Sequence, residues 1–130
     1  MIFVDTGAFV ALMRQKDRHH EAARSFMDGP PPLVTSDYVV DETVTLLLTR
    51  VGRDAAERFL RGIHSSRLLR LEMVGKEGFR QAASLFLHYK DKDWSFTDCT
   101  SFALAKRLGI EEVFGFDHHF EQMGLGRVPR

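Results

Sequence analysis

The sequence of 130 residues is poor in cysteine and in long apolar runs, and each shortage excludes a class of protein. A single cysteine, Cys99, cannot form an internal disulfide and indicates a reducing compartment. No run approaches the roughly 20 apolar residues of a membrane span. The N-terminus lacks the basic segment and long apolar stretch of a signal peptide. The sequence therefore predicts a soluble, cytoplasmic protein.

An excess of charge of either sign is also missing. The 18 lysines and arginines balance 18 aspartates and glutamates, so net charge alone gives no indication of a nucleic-acid partner. Four acids gathered in one site, however, would leave the rest of the chain with a net charge of about +4. A neutral total can therefore conceal a basic rim around an acidic site.

The length and the ordinary globular composition fit a single domain, residues 1–130, with enough chain to bury a core. Short apolar runs alternate with segments of helical periodicity. The predicted strands are 2–4, 33–35, 67–74 and 112–116, with an edge strand in the tail after residue 124. The predicted helices are 7–13, 20–27, 36–52 including its caps, 53–64, 77–89 and 97–108, with a last helical turn at 118–124. This alternation predicts an α/β fold in which helices cover both faces of a parallel sheet.

The long helix after the second strand combines a buried stripe with an acid. Its apolar residues recur at helical spacing and predict the face turned to the core: Val40, Val44, Leu47 and Val51. Glu42 lies early in this helix, within reach of the edge of the sheet where the strands end. Neighbouring Asp41 is hardly distinguishable from Glu42 by this geometry.

Three further acids occupy equivalent places in the predicted fold. Asp5 and Asp117 each follow a strand directly, and Asp98 lies in the first turn of the helix that precedes the last central strand. The carboxyl ends of parallel strands and the N-termini of the following helices meet at one edge of a sheet, where ligands bind. The sequence therefore predicts that these acids lie close together.

Each of these acids also has a purely structural interpretation. Asp5 and Asp117 can cap the helical turns that follow them, and Ser95 with Asp98 fits a capping box. Asp98 favours the functional interpretation because Ser101, Phe102 and Ala105 on the same helix face suit an inward direction. Converging carboxylates repel one another unless a cation lies between them. Oxygen ligands of this kind suit Mg²⁺ or Mn²⁺, and such a site activates water for attack on a phosphodiester.

With these residues in place, the chain resembles the PIN-domain ribonucleases, and among them the VapC-like toxins of type II toxin–antitoxin systems. The resemblance covers nearly the whole chain and depends on an ordered set of segments. They are IFVDTGAFVAL around Asp5, TSDYVVDETVTLLL around Glu42, SFTDCTSFALAKRLGI around Asp98 and VFGFDHHFEQMG around Asp117.

The resemblance implies a PIN-like three-layer sandwich with a parallel sheet of four to five strands in the order 3-2-1-4-5. It implies that Asp5, Glu42, Asp98 and Asp117 are catalytic and bind Mg²⁺ or Mn²⁺, with Thr6 supporting the cluster. The expected activity is metal-dependent endoribonuclease cleavage of RNA by a toxin. The expected partners are the RNA substrate, a cognate antitoxin and a second copy of the chain. Cys99, where a small residue such as alanine is commoner, is expected to be buried and inert.

Several other side chains are open to two interpretations. The loop after the first helix carries three basic residues, Arg14, Lys16 and Arg18, which either are solvated or bind RNA phosphates. The predicted position of this loop near the edge of the sheet where the strands end favours RNA binding. Lys90, Lys92 and Trp94 combine cations with a stacking surface, unless Trp94 belongs to the core. His118 and His119 suit a solvated turn better than a contact to substrate. Extra acids at Asp41 and Asp93 have no clear role, and Phe59, Leu60 and Ile63 suit the core or a dimer interface.

The sequence raises two other classes of function. Asp5-Thr6-Gly7 is also how an aspartic protease presents its catalytic acid, but such an enzyme needs an all-β chain with long sequence before this motif. The alternative that stays open is a PIN-fold RNA-binding or interaction module with weak or no nuclease activity. Cleavage of RNA with Mg²⁺ or Mn²⁺ distinguishes this module from the nuclease.

Overall fold

A computed structural model describes all residues, 1–130, as five strands and seven helices. The strands are β1 (Ile2–Val4), β2 (Leu33–Ser36), β3 (Leu69–Glu72), β4 (Glu112–Phe114) and β5 (Gly126–Val128). The helices are α1 (Thr6–Met13), α2 (His20–Phe26), α3 (Asp37–Arg50), α4 (Arg53–Ser65), α5 (Gly75–His88), α6 (Phe96–Leu108) and α7 (His119–Gln122). None of the helices is long and apolar enough to cross a membrane.

The five strands form one sheet in the order β3-β2-β1-β4-β5, and all neighbouring strands are parallel. The predicted strand order and the predicted PIN-like α/β sandwich are thus confirmed. Central strand β1 is buried throughout, and its Phe3 lies opposite Val34 on one side and Val113 on the other. Because all strands run the same way, β1, β2 and β4 end at a common edge of the sheet.

The core lies between this sheet and the helices. A cluster of 21 buried apolar residues includes Phe3, Phe59, Phe114 and Phe120, each 8% exposed or less. A smaller cluster joins Ala82, Trp94 and Cys99. Trp94 is buried there and its indole donates to Gln122 Oε1 at 2.9 Å, so the structure does not present Trp94 as a stacking surface.

The predicted buried stripe of α3 was partly wrong. The residues that α3 buries fully are Val39, Thr43 and Leu47, at a regular spacing of four. Val40 and Val44 are only partly buried, and Val51 lies beyond the end of the helix with 43% of its surface exposed. The buried Thr43 hydroxyl donates to Val39 O at 2.7 Å, so its polar group is satisfied inside the core. A pattern that counts only apolar residues does not include threonine and therefore misses this position.

Candidate active site

A pocket of about 440 Å³ opens at the edge of the sheet where β1 and β4 end. We call it the acidic pocket because six carboxylates line it: Asp5, Asp17, Glu42, Asp93, Asp98 and Asp117. All four acids predicted from the sequence are among them. Asp93 also lines the pocket, whereas Asp41 is exposed and does not, because it lies on a different face of α3 from Glu42.

Asp5 is the most buried of these acids, with 5% of its surface exposed. It follows β1, and its Oδ2 accepts from the backbone N–H of Gly7 at 3.4 Å to cap α1. Burial first, and then the charges of Asp98 and Glu42, raise the pKa of Asp5 to about 7 against the lowering effect of the Thr6 and Gly7 N–H groups. Asp5 therefore caps α1, as one interpretation predicted, and the same side chain also lines the acidic pocket.

Asp98 combines a structural bond with a place in the pocket in the same way. It forms the predicted capping box of α6: Ser95 Oγ accepts from Asp98 N, and Asp98 Oδ2 accepts from Ser95 N, both at 3.0 Å. Only 8% of Asp98 is exposed. The reciprocal cap fixes the direction of the carboxylate, because the backbone of the first turn leaves its χ angles little freedom.

His119 contradicts its prediction as part of a solvated turn. Its side chain is 16% exposed, and Nδ1 lies 3.0 Å from Asp98 Oδ2 and 3.3 Å from Asp117 Oδ1. Asp117 Oδ1 also accepts from the backbone N–H of His119 at 3.0 Å, and this bond turns the ring back over the pocket. His118 does match the prediction, since its side chain is 72% exposed.

Two small residues shape the wall around Asp5. The Thr6 hydroxyl is buried and has no hydrogen-bond partner within the chain, although buried polar groups nearly always have one. Gly115 follows β4, and a Cβ there would lie 3.2 Å from Asp5 Cβ, closer than most such contacts. At Gly7 the corresponding distance to Asp5 Oδ2 is 3.8 Å, which is ordinary contact, so Gly115 rather than Gly7 makes room for Asp5.

The pocket fits a hydrated divalent cation. Its donors are carboxylate oxygens, and the unpartnered Thr6 hydroxyl lies beside them. Burial and the neighbouring Asp98 and Glu42 charges raise the pKa of Asp5, and a cation in the pocket would offset both effects. The potential ligand atoms that lie within 4.8 Å of one another belong to Asp117, His118 and His119, and the four acids form no group as tight as that. Mg²⁺ keeps several waters and needs only one or two direct carboxylates, so a wider acidic pocket still suits it.

The predicted RNA contacts do not all lie together. Arg14 and Lys16 line a neighbouring cleft and not the acidic pocket. Arg18 lines neither, and its Nε lies 3.1 Å from His19 Nε2. Sequence reasoning missed Arg50, which lines both depressions from the end of α3.

A parallel sheet in this order, with acids gathered where β1 and β4 end, defines the class of PIN domains. The profile of the PIN domain family matches residues 2–125, and the chain belongs to this family. Over 129 residues it is 37% identical to VapC20 of Mycobacterium tuberculosis, a 23S rRNA-specific endonuclease, with 98% of each chain covered.

Solved structures agree with this assignment. The crystal structure of VapC20, described as a sarcin–ricin loop cleaving toxin, superposes with a TM-score of 0.91 at 34% identity and covers 96% of each chain. Ribonuclease VapC26 of Mycobacterium tuberculosis is 30% identical over 124 residues, with 94% of this chain and 91% of VapC26 covered. FitAcB from Neisseria gonorrhoeae superposes with a TM-score of 0.73 over 98% of this chain and 96% of its own, and at 17% identity this likeness shows the fold alone.

Proposed function

We propose that the chain is a Mg²⁺- or Mn²⁺-dependent endoribonuclease and the toxin of a toxin–antitoxin pair. The observation that carries the proposal is the acidic pocket itself, in which Asp5, Glu42, Asp98 and Asp117 converge at the edge of the sheet. The similarity to ribonucleases of the VapC type supports the same activity. Asp5, Glu42, Asp98 and Asp117 would hold the cation directly or through its waters.

The chemistry follows from what each residue offers. When bound, the cation lowers the pKa of a water molecule and offsets charge on the phosphodiester. Asp5 must be deprotonated to serve as a ligand, and its raised pKa means that proton and cation compete for the same carboxylate. His119 and Ser95 hold Asp98 Oδ2 from two sides, which leaves Asp98 Oδ1 for the site.

The substrate that we propose first is a structured loop of 23S rRNA. The support is the similarity to VapC20, since the two chains align over nearly their full lengths. A hairpin RNA carrying the sarcin–ricin loop, with a scrambled hairpin as control, tests this choice of substrate. Equal cleavage of both hairpins would remove the support for a loop-specific target.

Conservative variants of the acids test the proposed activity. Without a carboxylate at position 5 or 98 the cation loses a ligand, so Asp5→Asn and Asp98→Asn are expected to lower RNA cleavage on the order of a hundredfold or more. Cleavage products of a mixed RNA pool are quantified with Mg²⁺, with Mn²⁺ and with EDTA. Binding of Mn²⁺ is measured separately by calorimetry.

Asp41→Asn is the matched control, because Asp41 is an exposed acid next to Glu42 that lies outside the pocket. It should cleave RNA and bind Mn²⁺ as the wild type does. Equal cleavage by the wild type, Asp5→Asn and Asp98→Asn would remove the acidic-site mechanism. A wild type that binds RNA and never cleaves it would favour the non-catalytic module.

We propose two protein partners. The first is a cognate antitoxin, which is tested by co-purification with the product of any short open reading frame directly upstream and by loss of RNA cleavage in that complex.

The second is another copy of this chain, bound through an aromatic patch of Phe79, Phe86 and Phe96. Phe79 and Phe86 are 47% and 49% exposed, and both lie beside Phe96 at centroid distances of 5.2 and 6.3 Å. A contiguous exposed apolar patch of this kind marks a protein interface.

A further inference from the structure

A second depression lies beside the acidic pocket, and no acidic residue lines it. Its volume is about 870 Å³, the largest of the main depressions on this chain. Five cationic side chains line it, and we call it the basic cleft: Arg14, Lys16, Arg24, Arg50 and Arg58. They come from the α1–α2 connection, α2, α3 and α4, so four separate parts of the chain bring positive charge to one place.

None of these five side chains forms an ion pair, and all five are exposed. Arginines elsewhere on α4 behave differently, since Arg53 and Arg61 both pair with Glu57. Arg24 and Arg50 lie in the last turns of their helices, where the helix dipole favours a cation. The dipole does not explain why the cations of four elements converge, because like charges repel across a shared cleft.

The basic cleft continues into the acidic pocket along two elements. Glu42, Leu46 and Arg50 follow one face of α3 at intervals of four residues, and all three line the acidic pocket. Arg50 also lines the basic cleft, so the charge on this face changes from negative to positive over about 12 Å of helix. The loop after α1 does the same, because Arg14 and Lys16 line the cleft while Asp17 lines the pocket.

We propose that the basic cleft binds backbone phosphates of the RNA on one side of the bond to be cleaved. Arg50, at the junction, contacts the phosphate nearest to the acidic pocket. This inference rests on the proposed ribonuclease function, because it places an RNA strand across both depressions. Guanidinium groups bind phosphate oxygens through paired N–H donors, and such contacts position a nucleic acid without reading its sequence. The proposed set of RNA contacts therefore differs from the set predicted from the sequence. Arg14 and Lys16 remain in it, Arg18 is left out, and Arg24, Arg50 and Arg58 are added.

A binding measurement without cleavage tests the cleft. The double variant Arg24→Gln/Arg58→Gln removes two cations that line the cleft and not the acidic pocket. The control Arg61→Gln/Lys106→Gln removes the same charge from exposed sites outside the cleft. Affinity for a fluorescein-labelled hairpin RNA of mixed sequence is measured by anisotropy in EDTA over a series of salt concentrations, and melting temperatures confirm that each variant is folded.

The cleft variant is expected to bind this RNA on the order of tenfold more weakly than the control. The slope of log Kd against log salt should fall by about 1.4 to 1.8, because each lost phosphate contact contributes about 0.7 to 0.9. A cleft variant with the affinity and salt slope of the control would overturn the proposal. The cleft would then suit an acidic protein segment and not RNA. Cleavage by the wild type is measured separately from RNA affinity. The two proposals can therefore fail independently: the chain can bind RNA in the cleft without cleaving it, or cleave RNA without using the cleft.

Discussion

His119 contacts two carboxylates of the acidic pocket with a single ring nitrogen. Its Nδ1 lies within hydrogen-bonding distance of Asp98 and close to Asp117, and its own backbone N–H holds Asp117 from the other side. With the proton on Nδ1, the ring donates to one carboxylate at a time. We therefore expect His119 to act as a positioning residue that fixes the directions of Asp98 and Asp117, two of the proposed ligands.

Removing the His119 ring should weaken cation binding while the chain remains folded. His119→Ala is expected to lower Mn²⁺ affinity and RNA cleavage about 10- to 100-fold, as the loss of other residues that orient ligands does. His119→Asn keeps a short N–H donor and should recover part of this loss. His118→Ala is the matched control and should stay close to the wild type, because the His118 side chain is 72% exposed. Equal Mn²⁺ affinity in His119→Ala and His118→Ala would contradict the positioning role.

The residues also show why the acids were predictable and His119 was not. Asp5, Asp98 and Asp117 each accept a backbone N–H near a helix start, so strand ends and capping patterns in the sequence locate them. The bond of His119 to Asp98 joins residues that are 21 positions apart and depends on the turn after β4. A histidine pair next to an acid gives no indication of which ring turns inward. Gly115 was not predictable for the same reason. The short distance between Asp5 and a side chain at position 115 arises only when β1 pairs with β4.

At the scale of elements, the connections after the strands decide where the site lies. β1 passes directly into α1, and β2 passes directly into α3, so Asp5 and Glu42 reach the same edge. The alternation of apolar runs and helical segments predicted these elements well, including the last helical turn and the edge strand β5. The boundaries of β3 and α5 were less accurate. Three polar residues interrupt the apolar run at β3, namely Arg67, Arg70 and Glu72, and this edge strand pairs only over Leu69–Glu72.

Helix α5 carries Phe79 and Phe86 of the aromatic patch that we propose as the homodimer interface. Its buried positions are Gly78 and Ala82, and its larger residues Phe79 and Phe86 remain half exposed. Trp94 and Tyr89 pack behind the same region, with ring centroids 4.9 Å apart. The segment around Phe59 on α4, which suited the core or a dimer interface, belongs mainly to the core: Phe59 is buried there, Ile63 packs against it, and Leu60 is 40% exposed.

Two substitutions on α5 test the dimer. Phe79→Ser/Phe86→Ser should raise the dimer dissociation constant on the order of a hundredfold or more, because aromatic residues at an interface commonly contribute about 2 kcal/mol or more each. Mass is measured by light scattering across a dilution series. Leu60→Ser is the control and should leave the dissociation constant unchanged. A monomeric wild type, or a dimer that persists in the double variant, would exclude this face as the interface.

On the scale of the whole molecule, a net charge of zero hides two regions of opposite sign. The acidic pocket and the basic cleft share Arg50 and lie along the same helix α3. The acids at strand ends predicted the acidic site, and the charge balance of the remaining residues allowed for a basic rim around it. Of the basic cleft, Arg14 and Lys16 were singled out from the sequence. Its other members, Arg24, Arg50 and Arg58, were not predictable, since only the packing of α1 to α4 brings them beside that loop.

The burial of Asp5 also connects the site to the stability of the whole fold. Its pKa is raised from 3.8 to about 7, so the folded chain binds this proton more tightly than the unfolded chain does. Between these two pKa values the folded state carries more protons, and its stability must therefore fall as the pH rises. The shift corresponds to about 4 kcal/mol as an upper limit, since one pKa unit corresponds to about 1.4 kcal/mol. A bound cation removes this penalty by stabilising the charged carboxylate.

Thermal melts in EDTA should therefore show a higher melting temperature at about pH 5.5 than at about pH 8, by several degrees. Mg²⁺ should raise the melting temperature mainly at the higher pH, because the cation binds deprotonated Asp5 in the folded chain. Asp5→Asn has no proton to lose, so its melting temperature should vary less with pH and respond less to Mg²⁺. The comparison with Asp5→Asn separates the contribution of Asp5 from the contributions of all other titratable groups. The same pH dependence in Asp5→Asn and the wild type would show that Asp5 is already charged in the folded, metal-free chain.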